Sequence, residues 1–150
     1  MTPRQELETF FAKYDAAAVR VARAALRRLE RQFPGATLLV YDNYNALAIG
    51  FGPHERASGA VFSIALYPRW VSLFFLKGAT LPDPHKRLQG SGKIVRSLRI
   101  DRVEILEEPA VRELIEVAAR GSGMESGKGK MVIRSISKVQ RPRKPRRGAG

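Results

Sequence analysis

The sequence has 150 residues, enough for one domain with a hydrophobic core of its own. It contains no cysteine, which excludes disulfides, thiolate metal sites and a cysteine nucleophile, and is typical of a reducing compartment. The net charge is +13, no apolar stretch approaches the ~20 residues of a membrane span, and the N-terminus lacks the apolar core of a signal peptide. These features predict a soluble cytoplasmic protein with no membrane partner.

Helical periodicity dominates the N-terminal segment. Thr2 and Gln5 have the spacing of a capping box, and Pro3 suits the first helical position. Because Asp15 could cap a new helix, we expect either two consecutive helices or one helix with a break near Asp15, ending at Phe33-Pro34-Gly35. The apolar positions cluster on one side of a helical wheel: Leu7, Phe10, Phe11, Tyr14, Ala18, Val21, Ala25 and Leu29.

Four arginines lie opposite that apolar side: Arg20, Arg23, Arg27 and Arg31. A charged stripe is the normal solvent-facing side of an amphipathic helix. We therefore interpret it as a solvated face, with a phosphate-binding surface as the alternative.

Strands are predicted next, separated by turn residues. The first four cover residues 36–41, 46–51, 60–67 and 70–76, and the last of these, WVSLFFL, has the composition of a central strand. A fifth strand is predicted over residues 93–100 and a helix over 106–120, begun by Glu108-Pro109 and ended by Gly121. The pattern predicts an α+β domain: an N-terminal helical segment, an antiparallel sheet of about five strands, and a C-terminal helix.

Several ordered motifs resemble one family of small bacterial domains. They are YDNYNALAIGF at residues 41–51, YPRWV at 67–71, Phe74-Phe75 with Lys77-Gly78, LPDPH at 81–85 and LQGSGK at 88–93. Over residues 5–120 the sequence is similar to the YdhG-like family. The resemblance implies a curved antiparallel sheet flanked by helices, and it carries no assigned catalytic residue.

One branch of that family is described as frataxin-like and as an iron chaperone, so iron is the alternative cofactor. Iron favours carboxylate oxygens, but arginines outnumber acids on the first helical region. The best remaining acidic cluster comprises Asp101, Glu104, Glu107, Glu108, Glu113 and Glu116. Acids near a helix start also simply favour its dipole, so no metal ligand is assigned.

No catalytic constellation is evident in the sequence. There is no G-x-S-x-G motif, and His54 and His85 lie in separate loops without the close spacing of many metal pairs. We therefore favour a non-enzymatic protein without a resident cofactor.

A ligand site is predicted where polar-tipped aromatic and amide side chains lie near strand ends. Such groups can stack on and hydrogen-bond a small molecule or a peptide. The members are Tyr41, Asn43, Tyr44, Asn45, Tyr67 and Trp70. Lys93 is added because the turn Gly90-Ser91-Gly92-Lys93 could hold an anion through its backbone N–H groups and the Lys93 side chain. The competing interpretation is that the aromatic residues complete the core and the amides serve only the turn.

The remaining segment, residues 121–150, is predicted to be a flexible basic tail outside a domain formed by residues 1–120. It has nine Lys/Arg and one Glu, a net +8 of the total +13, and no aromatic residue. Residues 131–139 are apolar enough to add a strand, whereas residues 141–147 should be extended and disordered. The predicted contacts to nucleic acid or another polyanion are Lys138, Arg141, Arg143, Lys144, Arg146 and Arg147. The alternative is that residues 121–150 bind no partner and only increase solubility.

Overall fold

Three helices and six strands make up the computed structural model, which describes residues 1–145. The elements, in chain order, are α1 Pro3–Phe11, α2 Ala16–Gln32, β1 Thr37–Asp42, β2 Leu47–Gly52, β3 Phe62–Leu66, β4 Val71–Phe75, β5 Arg96–Arg99, α3 Pro109–Ala119 and β6 Met131–Ile136. The fold is α+β, as predicted. No helix within residues 1–145 is long and apolar enough to cross a membrane.

The N-terminal segment forms two helices, which confirms that part of the prediction. The Thr2 Oγ1 atom accepts a hydrogen bond from the Gln5 backbone N–H at 3.1 Å, and the Gln5 side chain accepts one from the Thr2 N–H at 2.8 Å. This capping box satisfies two N–H groups that have no partner within the helix. Asp15 is at the N-cap position of α2, although its side chain makes no capping hydrogen bond.

The sheet has the strand order β5-β4-β3-β2-β1-β6. Strands β1 to β5 pair with one another in antiparallel orientation, whereas β6 runs parallel to β1. The prediction of a purely antiparallel sheet followed by a C-terminal helix is therefore wrong at the C-terminal end of the chain. The sheet is mixed, and a strand follows α3. The physical reason is that β1 is an edge strand of the antiparallel part, and β6 pairs with that edge while adding Met131 to the core.

Residues 131–136 thus belong to the same sheet as residues 37–42, which confirms the strand predicted within residues 131–139 and contradicts the flexible tail in which it was placed. The other differences are local. The predicted fifth strand is shortened to Arg96–Arg99, with Ile94 and Val95 exposed. The predicted helix at 106–120 begins at Pro109, after a 3-10 turn over Val103–Glu107.

All three helices contribute to a single hydrophobic core on one face of the sheet. Alternate strand residues such as Leu38, Val40 and Ile49 point into this core, together with helix residues such as Leu29 and Ile115. The opposite face, called here the open face, is formed by the intervening positions. Its two rows across the sheet are Arg99, Ser72, Ala65, Ala48, Tyr41 and Ser135, and Ser97, Phe74, Ser63, Gly50, Leu39 and Val132. Its central positions carry small side chains.

Candidate functional site

Two hairpin turns meet at one end of the sheet. Residues 43–46 connect β1 to β2, and residues 67–70 connect β3 to β4. In each turn a backbone hydrogen bond closes the loop: Asn43 N–H to Ala46 O at 3.0 Å, and Tyr67 N–H to Trp70 O at 2.9 Å. Alternate turns of an antiparallel meander lie at the same end of the sheet. We call this region the hairpin end, defined by residues 43–46 and 67–70.

Aromatic rings are concentrated at the hairpin end. The rings of Tyr67 and Trp70 are stacked, with centroids 5.0 Å apart and planes 24° from parallel. The Arg99 guanidinium carbon lies 4.9 Å from the Trp70 ring centroid, so a cation–π contact extends the stack. Tyr44 is 50% exposed and Trp70 is 37% exposed. The hairpin end therefore offers aromatic surface to solvent.

The chain after β6 crosses the hairpin end. The Ser137 N–H donates to the Asp42 carbonyl at 2.8 Å, and the Arg141 N–H donates to the Tyr44 carbonyl at 2.9 Å. The Arg141 guanidinium also donates to Asn45 Oδ1 at 3.3 Å. We call residues 137–143 the strap. Cations from the C-terminal segment and aromatic rings from the sheet thus lie on one surface.

A buried ionic cluster fixes the strap. Asp42 has no exposed surface and Arg143 is 6% exposed. Arg143 Nη2 lies 2.9 Å from Asp42 Oδ1 and also donates to the Asn43 carbonyl at 2.5 Å. Lys13 Nζ donates to Asp42 Oδ2 at 2.5 Å and to the Gln140 side chain at 2.8 Å. Both oxygens of the buried carboxylate are therefore paired with cations, as burial of a charge requires.

Tyr14 lies next to this cluster. Its ring centroid is 5.4 Å from the Arg143 guanidinium carbon, and the side chain is only 4% exposed. Burial raises the pKa of the Tyr14 phenol to about 12, although the positive charge of Arg143 partly opposes this effect. The hydroxyl makes no hydrogen bond of good geometry among residues 1–145, although the Leu47 backbone lies near enough to oppose the rise in the phenol pKa. The phenol is thus held neutral against the guanidinium.

Two grooves adjoin the hairpin end. The first has a volume of about 520 Å³ and runs along the open face; its lining includes Tyr44, Asn45, Ala48, Ser63, Ala65, Tyr67 and Phe74. The second, of about 510 Å³, is lined by Asn45, Tyr67, Pro68, Arg69, Trp70, Arg141 and Pro142. Asn45 and Tyr67 border both grooves. The lining of the second groove includes the cations Arg69 and Arg141, so this groove should accept an anionic ligand, whereas the lining of the first groove is neutral.

The structure brings together most of the predicted ligand site but not all of it. Asn43, Tyr44, Asn45 and Tyr67 line the first groove, while Trp70 lines the second. Tyr41 lies on the open face, half-buried, and lines neither groove. Lys93 is exposed in the loop before β5 and lines neither groove.

The predicted polyanion contacts divide into three groups. Lys138, Arg141 and Lys144 are exposed. Arg143 is buried against Asp42, and both Nη atoms of its guanidinium are occupied within the fold, whereas Nε has no partner among residues 1–145. Arg146 and Arg147 lie outside the described residues.

Sequence reasoning missed the part that the strap plays in the site. Arg69 and Arg99 were not among the predicted contacts, and the buried partners Lys13, Tyr14 and Asp42 were not recognised as a cluster. One signal was present for Asp42, which continues the alternation of the core-facing residues Leu38 and Val40 and is therefore placed to face inward.

Several other charged side chains form ion pairs away from the hairpin end. On α2, Arg23 pairs with Glu8 and Arg28 pairs with Glu107, whereas Arg20, Arg27 and Arg31 are exposed. A hydrogen bond from Arg28 lowers the pKa of Glu107. Among residues 1–145, no three His, Cys, Asp or Glu side chains are grouped so that they could hold a metal ion.

Comparison of the chain with family models, with curated proteins and with solved structures gives no match.

Proposed function

We propose that this chain is a non-enzymatic module that binds single-stranded nucleic acid at the hairpin end. One observation supports this proposal above the others: the strap places the cation Arg141 beside Asn45, in a groove that Trp70 and Tyr67 also line. Proteins that bind single strands combine a positively charged groove with aromatic side chains on which bases stack. Both components are present at this end of the sheet.

The aromatic side chains at the hairpin end leave exposed surface on which bases can stack. The Tyr44 ring is half exposed, and the Tyr67–Trp70 stack is extended by the Arg99 guanidinium. A guanidinium plane is itself a surface on which a base can stack. Each stacked base contributes about 1–3 kcal/mol in comparable proteins. Two or three such contacts would suffice for micromolar binding when phosphate contacts are added.

The cationic component is distributed around the second groove. Arg69 and Arg141 line it, and Arg99 lies on Trp70. The acids near this surface are already paired, since Asp42 is buried between Lys13 and Arg143, and Asp101 lies 3.7 Å from Arg99. A phosphate arriving at the grooves would therefore meet unopposed positive charge from Arg69 and Arg141.

A single strand fits this surface better than a duplex does. Bases can stack on protein rings only when they are unstacked from each other, as in loops and single strands. The small side chains of the open face, such as Ala48, Ser63 and Ala65, leave a groove along the sheet beside Tyr44. An extended chain of nucleotides could follow that groove.

Fluorescence anisotropy of a labelled single strand of about 10 nucleotides, within the site size of comparable domains, tests the proposal. The full chain is compared with Tyr44→Ala/Trp70→Ala, and we expect affinity to fall about tenfold to a hundredfold because the exposed Tyr44 ring is lost and the Tyr67–Trp70–Arg99 stack is broken. The matched control is Arg27→Ala/Arg31→Ala, which removes two exposed cations of α2 and should change affinity by less than about threefold.

Two results would overturn this assignment. If the α2 variant loses as much affinity as the ring variant, binding is electrostatic and is not located at the hairpin end. If a duplex of equal length binds as tightly as the single strand, stacking on Tyr44 and Trp70 does not contribute. Thermal unfolding of each variant checks that the fold is retained.

We also propose that residues 5–120 belong to the YdhG-like family. The element order supports this proposal: two helices, four antiparallel strands, a loop, a fifth strand and a helix.

A further inference from the structure

A separate pocket lies at the C-terminal end of α3, away from the hairpin end. Three segments form it: residues 53–61 between β2 and β3, residues 75–81 after β4, and residues 117–122 at the end of α3. Its volume is about 490 Å³, within the range of small-molecule sites. We call it the α3 pocket. It shares no lining residue with either groove of the hairpin end.

The α3 pocket has cations at its rim. Lys77 and Arg120 line it from different segments, and both are exposed. Neither has a salt-bridge partner among residues 1–145. The described lining contains no Asp or Glu. Two unpaired cations around a pocket without a carboxylate favour an anionic ligand.

Apolar side chains contribute part of the remaining surface, alongside the hydroxyl groups of Thr80 and Ser122. Phe75 is fully buried and belongs to the core, and Val61, Leu81 and Ala118 pack against that core from the pocket side. A ligand that places an apolar body on this surface and an anionic head group near Lys77 and Arg120 would match both components.

His54 supplies a further polar group in a fixed orientation. Its Nδ1 atom accepts a hydrogen bond from the Arg56 N–H at 3.1 Å, which leaves Nε2 as the N–H donor of the neutral ring. The ring lies directly on Gly59, where a Cβ atom would be 2.5 Å from His54 Cε1. Glycine at position 59 is therefore what allows His54 to occupy this part of the pocket.

The end of α3 favours a singly charged head group over a phosphate. A helix C-terminus carries partial negative charge and presents carbonyl groups rather than N–H groups. Residues 117–122 thus offer no N–H cradle of the kind that binds phosphate at helix N-termini. An anion in this pocket must be held by side chains, here Lys77 and Arg120 with His54 nearby.

We propose that the α3 pocket binds a small organic carboxylate with an apolar body. This function is independent of nucleic-acid binding, because none of the residues involved lies at the hairpin end. The pocket gives the chain a second ligand class, whose members differ from nucleic acid in size and in charge.

NMR titration of the ¹⁵N-labelled full chain tests this proposal, with benzoate and benzamide as probes. The two molecules have nearly the same shape and differ in head-group charge. We expect benzoate to shift the amide signals of residues 53–61, 77–81 and 117–122 in a saturable manner. Benzamide should bind at least about fivefold more weakly because it lacks the charge.

A matched pair of variants locates the charge recognition. Lys77→Gln/Arg120→Gln should weaken benzoate binding about tenfold and leave benzamide binding unchanged. The control, Lys86→Gln/Arg112→Gln, removes the same charge from exposed positions outside the lining and should bind benzoate as the unmodified chain does.

Equal affinity for benzoate and benzamide, shifts confined to other regions, or equal weakening in the control variant would each overturn the proposal. The amide shifts of the unmodified chain locate the benzoate site even if a variant folds poorly. The spectrum of each variant shows directly whether that variant is folded. Titration with the labelled single strand should instead move signals of residues 43–46 and 67–70, so failure of one function is distinguishable from failure of the other.

Discussion

Arg143 and Asp42 form a buried ion pair across a separation of 101 residues, with Nη2 and Oδ1 2.9 Å apart. The pair joins the strap to the end of β1, and it positions Arg141 two residues earlier against Asn45. Arg143 lines neither groove, but its ion pair with Asp42 holds Arg141 in the lining of the second groove. The strap and the binding surface should consequently respond together to changes in this pair.

The first prediction concerns the stability contributed by this pair. Arg143→Gln leaves Asp42 buried with Lys13 as its remaining cation, and we expect the free energy of unfolding to fall by about 1.5–3 kcal/mol because the charge-assisted hydrogen bonds of the guanidinium are lost. Urea unfolding of the full chain measures the change. The control is Arg141→Gln, which alters an exposed side chain two residues away and should cost less than about 1 kcal/mol. Equal effects of the two substitutions would mean that the strap does not depend on Asp42.

The second prediction is a pH dependence that originates at Tyr14. The phenol pKa is 10.0 in an unperturbed tyrosine and about 12 in the folded protein, so between these values the unfolded chain has lost a proton that the folded chain retains. Stability therefore falls as the pH rises from 10 to 12, by up to about 2–3 kcal/mol at 1.36 kcal/mol per unit. Below pH 10 the phenol is neutral in both states and contributes no pH dependence.

This prediction is measured by comparing the free energy of unfolding of Tyr14→Phe with that of the unmodified chain. The titration of all other groups contributes equally to both proteins and cancels in the difference. We expect the variant to be as stable as the unmodified chain at pH 8, or up to about 1 kcal/mol more stable, since the buried hydroxyl has no partner. Above pH 10 the variant should lose stability less steeply. Parallel stability curves for the two proteins would indicate that the Tyr14 phenol is hydrated in the folded state.

The third prediction is the salt dependence of single-strand binding. Four exposed cations surround the hairpin end: Arg69, Arg99, Lys138 and Arg141. If each contacts one phosphate, the plot of log affinity against log salt should have a slope of about −3, at about −0.7 per contact. Arg141→Ala should reduce the magnitude of the slope by about 0.7 units. An unchanged slope would place the phosphate contacts outside the strap.

The fourth prediction concerns the segment that leads into β6. A Cβ atom at Gly127 would be 1.9 Å from the Gly35 carbonyl oxygen, so Gly127→Ala must displace backbone. We expect a loss of about 2 kcal/mol or more in the free energy of unfolding. Gly92→Ala is the control, because nothing lies within 4 Å of its Cβ position and its φ is not positive. This second change should be neutral or stabilise by up to about 1 kcal/mol.

Local sequence signals predicted the early elements well. The capping box at Thr2 and Gln5, the proline that begins α3 and the four strands of the antiparallel part depend on residues close together in the chain, and periodicity reports such interactions directly. The parallel pairing of β6 with β1 depends on a contact between residues about a hundred positions apart. Local sequence patterns do not indicate which edge of the sheet a C-terminal strand will pair with.

The candidate site illustrates the same difference. Tyr44, Asn45, Tyr67 and Trp70 could be selected from their chemistry and from their positions near strand ends. The contribution of Arg141 could not, because the C-terminal segment has no aromatic residue of its own and its cations meet the rings only in the folded chain. The same holds for Arg143, whose neighbours in sequence are cations and prolines typical of an exposed tail. Arg143 is buried because its guanidinium pairs with the buried Asp42 carboxylate.

The parallel pairing of β6 also bears on how the chain is made. Synthesis proceeds at roughly 5–20 residues per second, so β1 and its antiparallel neighbours emerge from the ribosome seconds before residues 131–136. Until those residues arrive, β1 presents a row of unpaired backbone groups along one side. Nascent chains of this protein therefore pass through a stage at which chaperones, or one another, can reach an edge that the finished sheet covers.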